Sequence, residues 1–269
     1  MVKLLIGCDP ELFVAKNGVF LSAHGLIPGN KRNPHEVLDG AVQVDGTALE
    51  FNIKPATNLQ EFIHNTNSVL TTLKSMVPDY EVVISPTANF EQGYFDSLPE
   101  EAKELGCEPD YNAWFMSINH RPDCDIPMRT ASGHIHVGWL DNLTEDFMSQ
   151  DHFDTCGAVC RELDYYLGIQ SLDWDKDNLR RSMYGAAGAF RPKPYGAEYR
   201  VLSNAWLKSE ELQATVYQNT VKGVQNFFNG VSLVSDFGDT AKTILDQGDY
   251  NWRNKYPELD QKLKELIAA

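Results

Sequence analysis

The strongest constraint on the fold is the stretch from Met183 to Trp206, where charged residues alternate with apolar ones. Glu198 and Arg200 are two residues apart in an otherwise apolar run. Alternate side chains of a strand share a face, so these two point the same way, roughly 6–7 Å apart. Arg191 and Lys193 form a second such pair upstream. Three cations near one carboxylate, between apolar and Gly/Pro positions, favour a site for anions and a metal. The alternative is an Arg–Glu ladder on an exposed edge strand.

Composition places few limits on the fold but excludes some classes of partner. The chain has 269 residues, of which 42% are hydrophobic and 23% charged, so one large domain or two small ones would fit. A net charge of −15 without a Lys/Arg block argues against nucleic acid as a partner. No run approaches the roughly 20 apolar residues of a membrane span, and the N-terminal apolar run is too short for a signal peptide. We therefore expect no membrane association.

The cysteines indicate a reducing compartment. The five thiols are odd in number and scattered, which is typical of reduced cysteines in a cytosolic protein. The pair Cys156 and Cys160, four residues apart on a predicted helix, favours core packing over metal binding. We expect a cytoplasmic protein.

Periodicity predicts an α+β fold with mostly antiparallel strands broken by helices. Helical spacing predicts helices near 58–76, 151–167, 208–229, 238–247 and 256–268, and alternation predicts strands near 2–7, 12–14, 19–22, 41–55, 80–85 and 133–139. The segments 25–40 and 173–181 are predicted to be loops. The segment 106–131 is irregular and long for a plain loop, which favours a lid or an amine-binding role.

Four places carry ionisable residues where a strand should be apolar: Asp9 with Glu11, Asp45 with Glu50, His134 with His136, and Glu198 with Arg200. The spacing of Asp45 and Glu50 is odd, so they share a face only if Gly46 marks a bulge or turn. A buried carboxylate must be paired or bind a metal. Five carboxylates with one imidazole suit two Mg²⁺ or Mn²⁺ ions better than zinc. Each pair alone has an ordinary explanation, such as a turn at Asp-Pro-Glu; their joint occurrence favours the metal site.

These motifs, in this order, resemble those of the glutamine synthetase and glutamate–cysteine ligase superfamily of carboxylate–amine ligases. The runs GCDPELFV, DGTALEFNIKPA, GCEPDYNAW, RTASGHIHVGW and RRSMYGAAGAFRPKPYGAEYRVLSNAW resemble more closely the phage-type carboxylate–amine ligases, the type 2 amidoligases. The resemblance covers roughly residues 4–230. It implies a curved sheet or partial barrel flanked by helices, as in the catalytic domain of glutamine synthetase. We expect a catalytic domain over 1–235 and a C-terminal helical extension over 236–269 packed on it.

The resemblance also implies roles for individual residues. One metal ion, at the nucleotide phosphates, would be held by Asp9, His134 and Glu198, and a second, near the carboxylate substrate, by Glu11, Asp45 and Glu50. The phosphoryl group would be held by Arg191 and Arg200, and the nucleotide would be contacted by His136, Lys193, Arg181 and Arg129. Glutamine synthetase-type enzymes usually have glutamate where Asp9 and Asp45 stand, so the shorter side chains change the distance to the metal.

The function implied is an ATP-dependent carboxylate–amine ligase that forms an amide or peptide-like bond through an acyl phosphate. Its substrates would be a small-molecule or peptide carboxylate and an amine, with ATP and two or more Mg²⁺ or Mn²⁺ ions, in the host cytoplasm if the chain is phage-encoded. The alternatives are a metal-dependent phosphotransferase of the guanidino-kinase type and a non-catalytic nucleotide-binding module. The oligomeric state is not predicted.

Overall fold

The computed structural model describes residues 3–103, 110–119, 126–139 and 146–269. The strands in these ranges are β1 (Leu5–Cys8), β2 (Glu11–Lys16), β3 (Val19–Leu21), β4 (His35–Val37), β5 (Gly40–Asp45), β6 (Ala48–Ile53), β7 (Glu81–Val83), β8 (Thr87–Asn89), β9 (Tyr111–Asn112), β10 (Ser117–Ile118), β11 (Met128–Thr130), β12 (Ile135–Gly138), β13 (Ala189–Lys193) and β14 (Gly196–Tyr199). The α-helices are α1 (Leu59–Met76), α2 (Gln92–Asp96), α3 (Glu100–Lys103), α4 (Gln150–Leu163), α5 (Ile169–Ser171), α6 (Asn178–Met183), α7 (Glu210–Phe228), α8 (Leu233–Phe237), α9 (Thr240–Gln247), α10 (Trp252–Lys255) and α11 (Pro257–Ala268). A π-helical turn (Asp164–Gly168) joins α4 to α5, and a 3-10 helix (Asn204–Lys208) precedes α7.

The strands form antiparallel sheets, which confirms the predicted α+β class. One six-stranded sheet has the order β1-β12-β14-β13-β9-β10, and a second has β3-β2-β6-β5-β4 with β7 also paired to β2. Strands β8 and β11 form a separate pair. Within the described ranges the sheets do not close into a barrel.

The two six-stranded sheets meet where the chain passes from β1 to β2. The backbone N–H of Asp9 donates to the carbonyl of His134, and that of Glu11 donates to the carbonyl of Ser132. The carbonyl of Pro10 accepts from the N–H of Phe51 on β6. The Asp9–Glu11 segment therefore has backbone partners from both sheets, and its acidic side chains lie at their junction.

The hydrophobic core lies on the face of the first sheet opposite to the face that carries the ionisable residues. Ile6, Val137 and Ala197 are buried there, and helix α4 packs against β13 and β14. The Phe153 and Phe190 rings lie 5.4 Å apart across this contact. Along β12, β13 and β14, apolar side chains alternate with ionisable ones, so one face is buried and the other carries the ionisable residues.

Most of the predicted elements are confirmed to within a few residues, including the helices α1, α4, α7, α9 and α11. Two predicted loops contain regular structure. The segment 25–40 includes β4, and 173–181 includes the start of α6, where the Asp177 side chain accepts a hydrogen bond from the Arg180 N–H as a helix cap. Of the segment 106–131, residues 106–109 and 120–125 lie outside the described ranges.

The C-terminal helices contact the rest of the chain at several points. Arg253 lies 2.5 Å from Asp173, and the Tyr165 hydroxyl donates to the carbonyl of Gly238. Leu245 is part of the main hydrophobic core. None of the described helices has the length and apolar character needed to cross a membrane. Cys8, Cys156 and Cys160 are buried free thiols, and the other two cysteines lie outside the described ranges.

Candidate functional site

A row of directly opposed residues crosses the first sheet. Gly7 on β1 faces His136 on β12, His136 faces Glu198 on β14, and Glu198 faces Arg191 on β13. Directly opposed residues of antiparallel strands share one face. The row therefore confirms that the charged positions of separate motifs are neighbours on one surface. Strand β14 is central, between β12 and β13, so the alternative of an exposed edge-strand ladder is wrong.

Glu198 is the centre of this cluster. It is completely buried, and its carboxylate contacts the guanidinium of Arg200, lies 3.3 Å from Arg191 Nη1 and lies 2.7 Å from Lys193 Nζ. Arg200 also donates from Nε to Asp110 Oδ2 at 3.0 Å. A buried carboxylate needs such partners, because an unpaired one would be strongly destabilising. The cluster thus keeps three cations on the face that also carries the acids.

Asp9 and the two histidines complete a group with metal-binding potential. Asp9 Oδ1 lies 3.3 Å from His134 Nδ1, and this nitrogen lies 3.4 Å from Glu198 Oε1. His136 Nε2 lies 3.1 Å from the other oxygen of Asp9. Among the described residues, Asp9, His134 and Glu198 are the group whose ligand atoms all lie within 4.8 Å of one another.

The chemistry of this group fits a divalent cation. Asp9 Oδ1 is buried and has no hydrogen-bond partner among the described residues, which is uncommon for a buried carboxylate oxygen. Burial and the charge of Arg200 lower the pKa of His134 to about 4, so its imidazole is neutral at pH 7, as metal ligation requires. Two carboxylates and one imidazole are a donor set that Mg²⁺ or Mn²⁺ accepts.

The environment keeps the carboxylates of this group ionised. Burial alone would raise the pKa of Glu198, but Arg200, His136 and Lys193 outweigh burial and hold that pKa well below its usual range. Asp9 behaves in the same way, since its neighbouring histidines outweigh burial and hold its pKa well below the ordinary value. In turn, Asp9 outweighs the effect of burial on His136 and raises its pKa.

A second acidic group lies on the adjoining sheet. Glu11 faces Glu50 directly across β2 and β6, and Gln43 on β5 faces Glu50 from the other side. The Gln43 side chain donates to Glu50 Oε2 at 2.6 Å. Asp45 shares this face, because a turn at Gly46 (φ +58°) lets Asp45 pair with the residue after the turn, as predicted. Its carboxylate lies 3.5 Å from Lys31 Nζ.

The acids of the second group repel one another. Burial and the charge of Asp45 raise the pKa of Glu11 to about 7. Burial, then Asp9 and Asp45, raise the pKa of Glu50 well above its ordinary value. The charges of the two acidic groups therefore influence each other, but among the described residues only Asp9, His134 and Glu198 bring their ligand atoms within 4.8 Å of one another, and a metal site at Glu11, Asp45 and Glu50 stays a prediction. A nearby cation would stabilise the ionised forms of Glu11 and Glu50.

Arg129 and Arg181, both predicted to contact the nucleotide, have their described contacts outside the Glu198 cluster. Arg129 on β11 donates to the carbonyls of Ile126, Met128 and Lys103, and its guanidinium lies 4.5 Å from the centre of the Phe95 ring. Arg181 on α6 has its described contacts with Ser171 and Asp175. Neither residue has a described contact with the Glu198 cluster, and their roles toward a nucleotide stay predictions.

Two contacts of the site, made by Tyr195 and by Asp110, were not predicted from the sequence. The Tyr195 hydroxyl is hydrogen-bonded to His136 Nδ1, which leaves the other ring nitrogen toward Asp9. Tyr195 lies in the turn between β13 and β14, and no local pattern identifies it. Asp110, within the segment 106–131 for which a lid or an amine-binding role is predicted, is an ion-pair partner of Arg200.

Comparison with known proteins connects this site to a family. Residues 130–225 match the family model described as phage phiEco32-like COOH.NH2 ligase-type 2. The matched segment contains both histidines and the cations and carboxylate of β13 and β14, whereas Asp9, Glu11, Asp45 and Glu50 precede it. No curated protein matches the chain significantly. The match confirms the predicted resemblance and supports a carboxylate–amine ligase.

Proposed function

Because residues 130–225 match the family model of phage phiEco32-like COOH.NH2 ligase-type 2, we propose that the chain is an ATP-dependent ligase. It joins a small-molecule or peptide carboxylate to an amine. The carboxylate oxygen attacks the γ-phosphorus of ATP, and ADP leaves. The amine nitrogen then attacks the acyl carbon and loses a proton, and inorganic phosphate leaves as the amide forms. Activation is needed because an unactivated carboxylate has no adequate leaving group.

Arg191 and Lys193 on β13, together with Arg200 just after β14, would stabilise the transferred phosphoryl group. Phosphoryl transfer depends mainly on positioning and on neutralising charge on the phosphoryl oxygens. Arg191, Lys193 and Arg200 all reach Glu198 on one face of the sheet, so a phosphoryl group beside Glu198 would be within their range. Arg200 is further oriented by its Nε contact with Asp110. In this proposal His136 faces the nucleotide phosphates.

Two sets of residues would hold divalent cations, either Mg²⁺ or Mn²⁺. Asp9, His134 and Glu198 would bind one, and Glu11, Asp45 and Glu50 would bind a second. A bound divalent cation reduces the repulsion between a carboxylate and a polyphosphate. Burial of the sheet junction would limit access of water to an acyl phosphate.

One observation carries the proposal. Asp9, His134 and Glu198 place their ligand atoms within 4.8 Å of one another, next to three cations that reach the same carboxylate. Metal ligands beside arginines and a lysine are the combination that a metal–nucleotide complex requires. In a purely structural cluster we would expect Asp9 Oδ1 to accept a hydrogen bond, whereas it accepts none among the described residues and has only the 3.3 Å contact with His134 Nδ1.

The decisive experiment is a search for the product. The protein is incubated with ATP, MgCl₂ and pools of amino acids and short peptides, and new amides are sought by mass spectrometry together with ADP and phosphate. EDTA should abolish the product. A phosphorylated product without an amide would instead support the phosphotransferase. Nucleotide binding without any turnover would support the non-catalytic module.

A further inference from the structure

Two adjacent arginines on α6 have contrasting environments. Arg180 is buried, and its guanidinium donates to the carbonyls of Ala131 at 3.1 Å, Val201 at 2.8 Å and Leu202 at 2.7 Å. These bonds tie α6 to the segment before β12 and to the segment after β14. These hydrogen bonds explain why a cation is buried here, and they give Arg180 a structural role.

The burial of Arg181 is not explained by its hydrogen bonds. It is only 7% exposed, yet Nε and Nη1 have no hydrogen-bond partner among the described residues. The remaining nitrogen, Nη2, lies 3.4 Å from Ser171 Oγ and 3.6 Å from Asp175 Oδ2. Asp175 already accepts hydrogen bonds from the Ser203 hydroxyl and the Asp177 N–H. Buried N–H groups of a cation rarely lack an acceptor, so these two donors point to a ligand.

Arg181 lines a cavity of about 400 Å³ between α6 and α9. This size falls within the range of small-molecule sites. The lining residues include the cation Arg181, the polar residues Asn178 and Ser182, the apolar residues Ala186 and Leu245, and the acid Asp246. The Asp246 side chain is 42% exposed and accepts from Lys242 Nζ at 2.5 Å. The cavity thus offers a buried cation, an exposed anion and an apolar surface.

This cavity lies behind the sheet, away from the Glu198 cluster. Leu245 and the Tyr199 hydroxyl both approach Gly168, where an added Cβ would lie 2.8 Å from each of them. Tyr199 follows Glu198 on β14, so its side chain points to the opposite face. A ligand in the cavity would therefore occupy a site separate from the proposed catalytic one.

We propose that this cavity binds a free α-amino acid. The ligand's carboxylate accepts hydrogen bonds from Arg181, its ammonium group pairs with Asp246, and its side chain contacts Leu245 and Ala186. A zwitterion matches the charges better than a simple anion, because Asp246 and Asp175 would repel a phosphate or a dicarboxylate. The inference does not depend on the proposed ligase activity, because it uses none of the residues of the Glu198 cluster.

The test is a binding measurement on the full chain, without ATP and with EDTA present. Wild-type protein is titrated by calorimetry with each of the twenty standard amino acids. The variants are Arg181→Gln, which removes the buried donors, and Asp246→Asn, which keeps the shape of the cavity rim. Asp236→Asn is the matched control, because it also removes an exposed helical aspartate with a lysine nearby, Lys262 at 3.9 Å. A fourth variant, Lys193→Met, alters the Glu198 cluster.

We expect one-to-one binding of at least one amino acid, with affinity reduced about tenfold or more by Asp246→Asn and by Arg181→Gln. The Asp236→Asn and Lys193→Met proteins should bind as the wild type does. If Arg181→Gln fails to fold, the affinity of Asp246→Asn for the amino acid tests the proposal by itself. The proposal is overturned if no amino acid binds, if Asp246→Asn binds normally, or if Lys193→Met abolishes binding. The last result would place the ligand at the Glu198 cluster.

Discussion

Glu198 and His136 lie directly opposite each other across strands β14 and β12, and Arg191 faces Glu198 from β13. Because the three residues occupy one row, the charge on Glu198 affects both neighbours. Glu198 also contacts Arg200 and Lys193. Removing its charge would leave several cations without their counterion, while the apolar face of the sheet would be unchanged.

The first prediction concerns that charge. The substitution Glu198→Gln should reduce metal-dependent ATP turnover at least about 100-fold, because a neutral amide neither binds a divalent cation strongly nor orients the cations. Turnover is measured as ADP release with Mg²⁺, and circular dichroism checks the fold. Glu211→Gln, at an exposed position of α7, is the matched control and should be neutral. Near-normal turnover by folded Glu198→Gln protein would argue against the site.

The second prediction concerns Arg200, which contacts Glu198 through Nη1 and Asp110 through Nε. A lysine has one nitrogen and cannot span both carboxylates in this geometry. Arg200→Lys should therefore lower kcat about tenfold or more while KM for ATP changes less. Arg253→Lys is the control, since Arg253 also bridges two carboxylates, Asp173 and Asp260, outside the site. Poor ATP binding with normal turnover would contradict the assigned role.

The third prediction concerns metal binding by Asp9. In the wild type, Mn²⁺ should raise the midpoint of thermal unfolding, because a ligand of the folded state stabilises it. In Asp9→Asn the apparent affinity for Mn²⁺ should fall at least about tenfold, since one of the anionic ligands is lost. Asp151→Asn, exposed at the start of α4, is the control. An unchanged response of Asp9→Asn to Mn²⁺ would show that the ion binds elsewhere.

Alternation along single strands was sufficient to predict which charged residues share a face. Glu198 with Arg200 and His134 with His136 are each separated by one residue, and strand geometry alone places such pairs together. Gly46 was also informative, since a turn there was the condition for Asp45 and Glu50 to share a face. These predictions depend on local backbone geometry, which a short stretch of sequence specifies.

Strand order and long-range partners could not be predicted in the same way. The contacts of Arg129 are with carbonyls of two separate segments, and those of Arg181 with residues on α5 and the loop after it. Both arginines occur near conspicuous motifs, yet their positions depend on how distant elements pack. The partner of His136, Tyr195, is likewise 59 residues away along the chain.

The fourth prediction concerns Tyr195. Its hydroxyl is hydrogen-bonded to His136 Nδ1, so Tyr195→Phe removes a group that fixes the ring orientation. We expect kcat to fall about three- to tenfold, the loss typical of one hydrogen bond, with little change in stability toward urea. Tyr94→Phe is the control, because it removes a hydroxyl bonded to the Ser22 N–H outside the site. Equal effects of both substitutions on kcat would indicate a merely structural role for Tyr195.

The fifth prediction concerns Asp164, which lies behind the sheet in the π-helical turn. It is fully buried and accepts hydrogen bonds from Trp114 Nε1 at 2.6 Å and from the Tyr199 hydroxyl at 2.7 Å. Burial outweighs these bonds and raises the pKa of Asp164 from 3.8 to about 7. Between these values the folded state retains a proton that the unfolded state has lost. Its contribution to stability is therefore fully present below about pH 4 and lost as the pH rises to about 7.

Replacement of Asp164 by asparagine removes this titration. The free energy of unfolding of the wild type should fall relative to that of Asp164→Asn, by on the order of 2 kcal/mol, as the pH rises from about 4.5 to about 7.5. Urea unfolding of both proteins at several pH values measures the difference. Asp151→Asn should follow the pH dependence of the wild type. Parallel curves for the wild type and Asp164→Asn would show that Asp164 has the same pKa in the folded and unfolded states, because only a pKa difference between them links its protonation to stability.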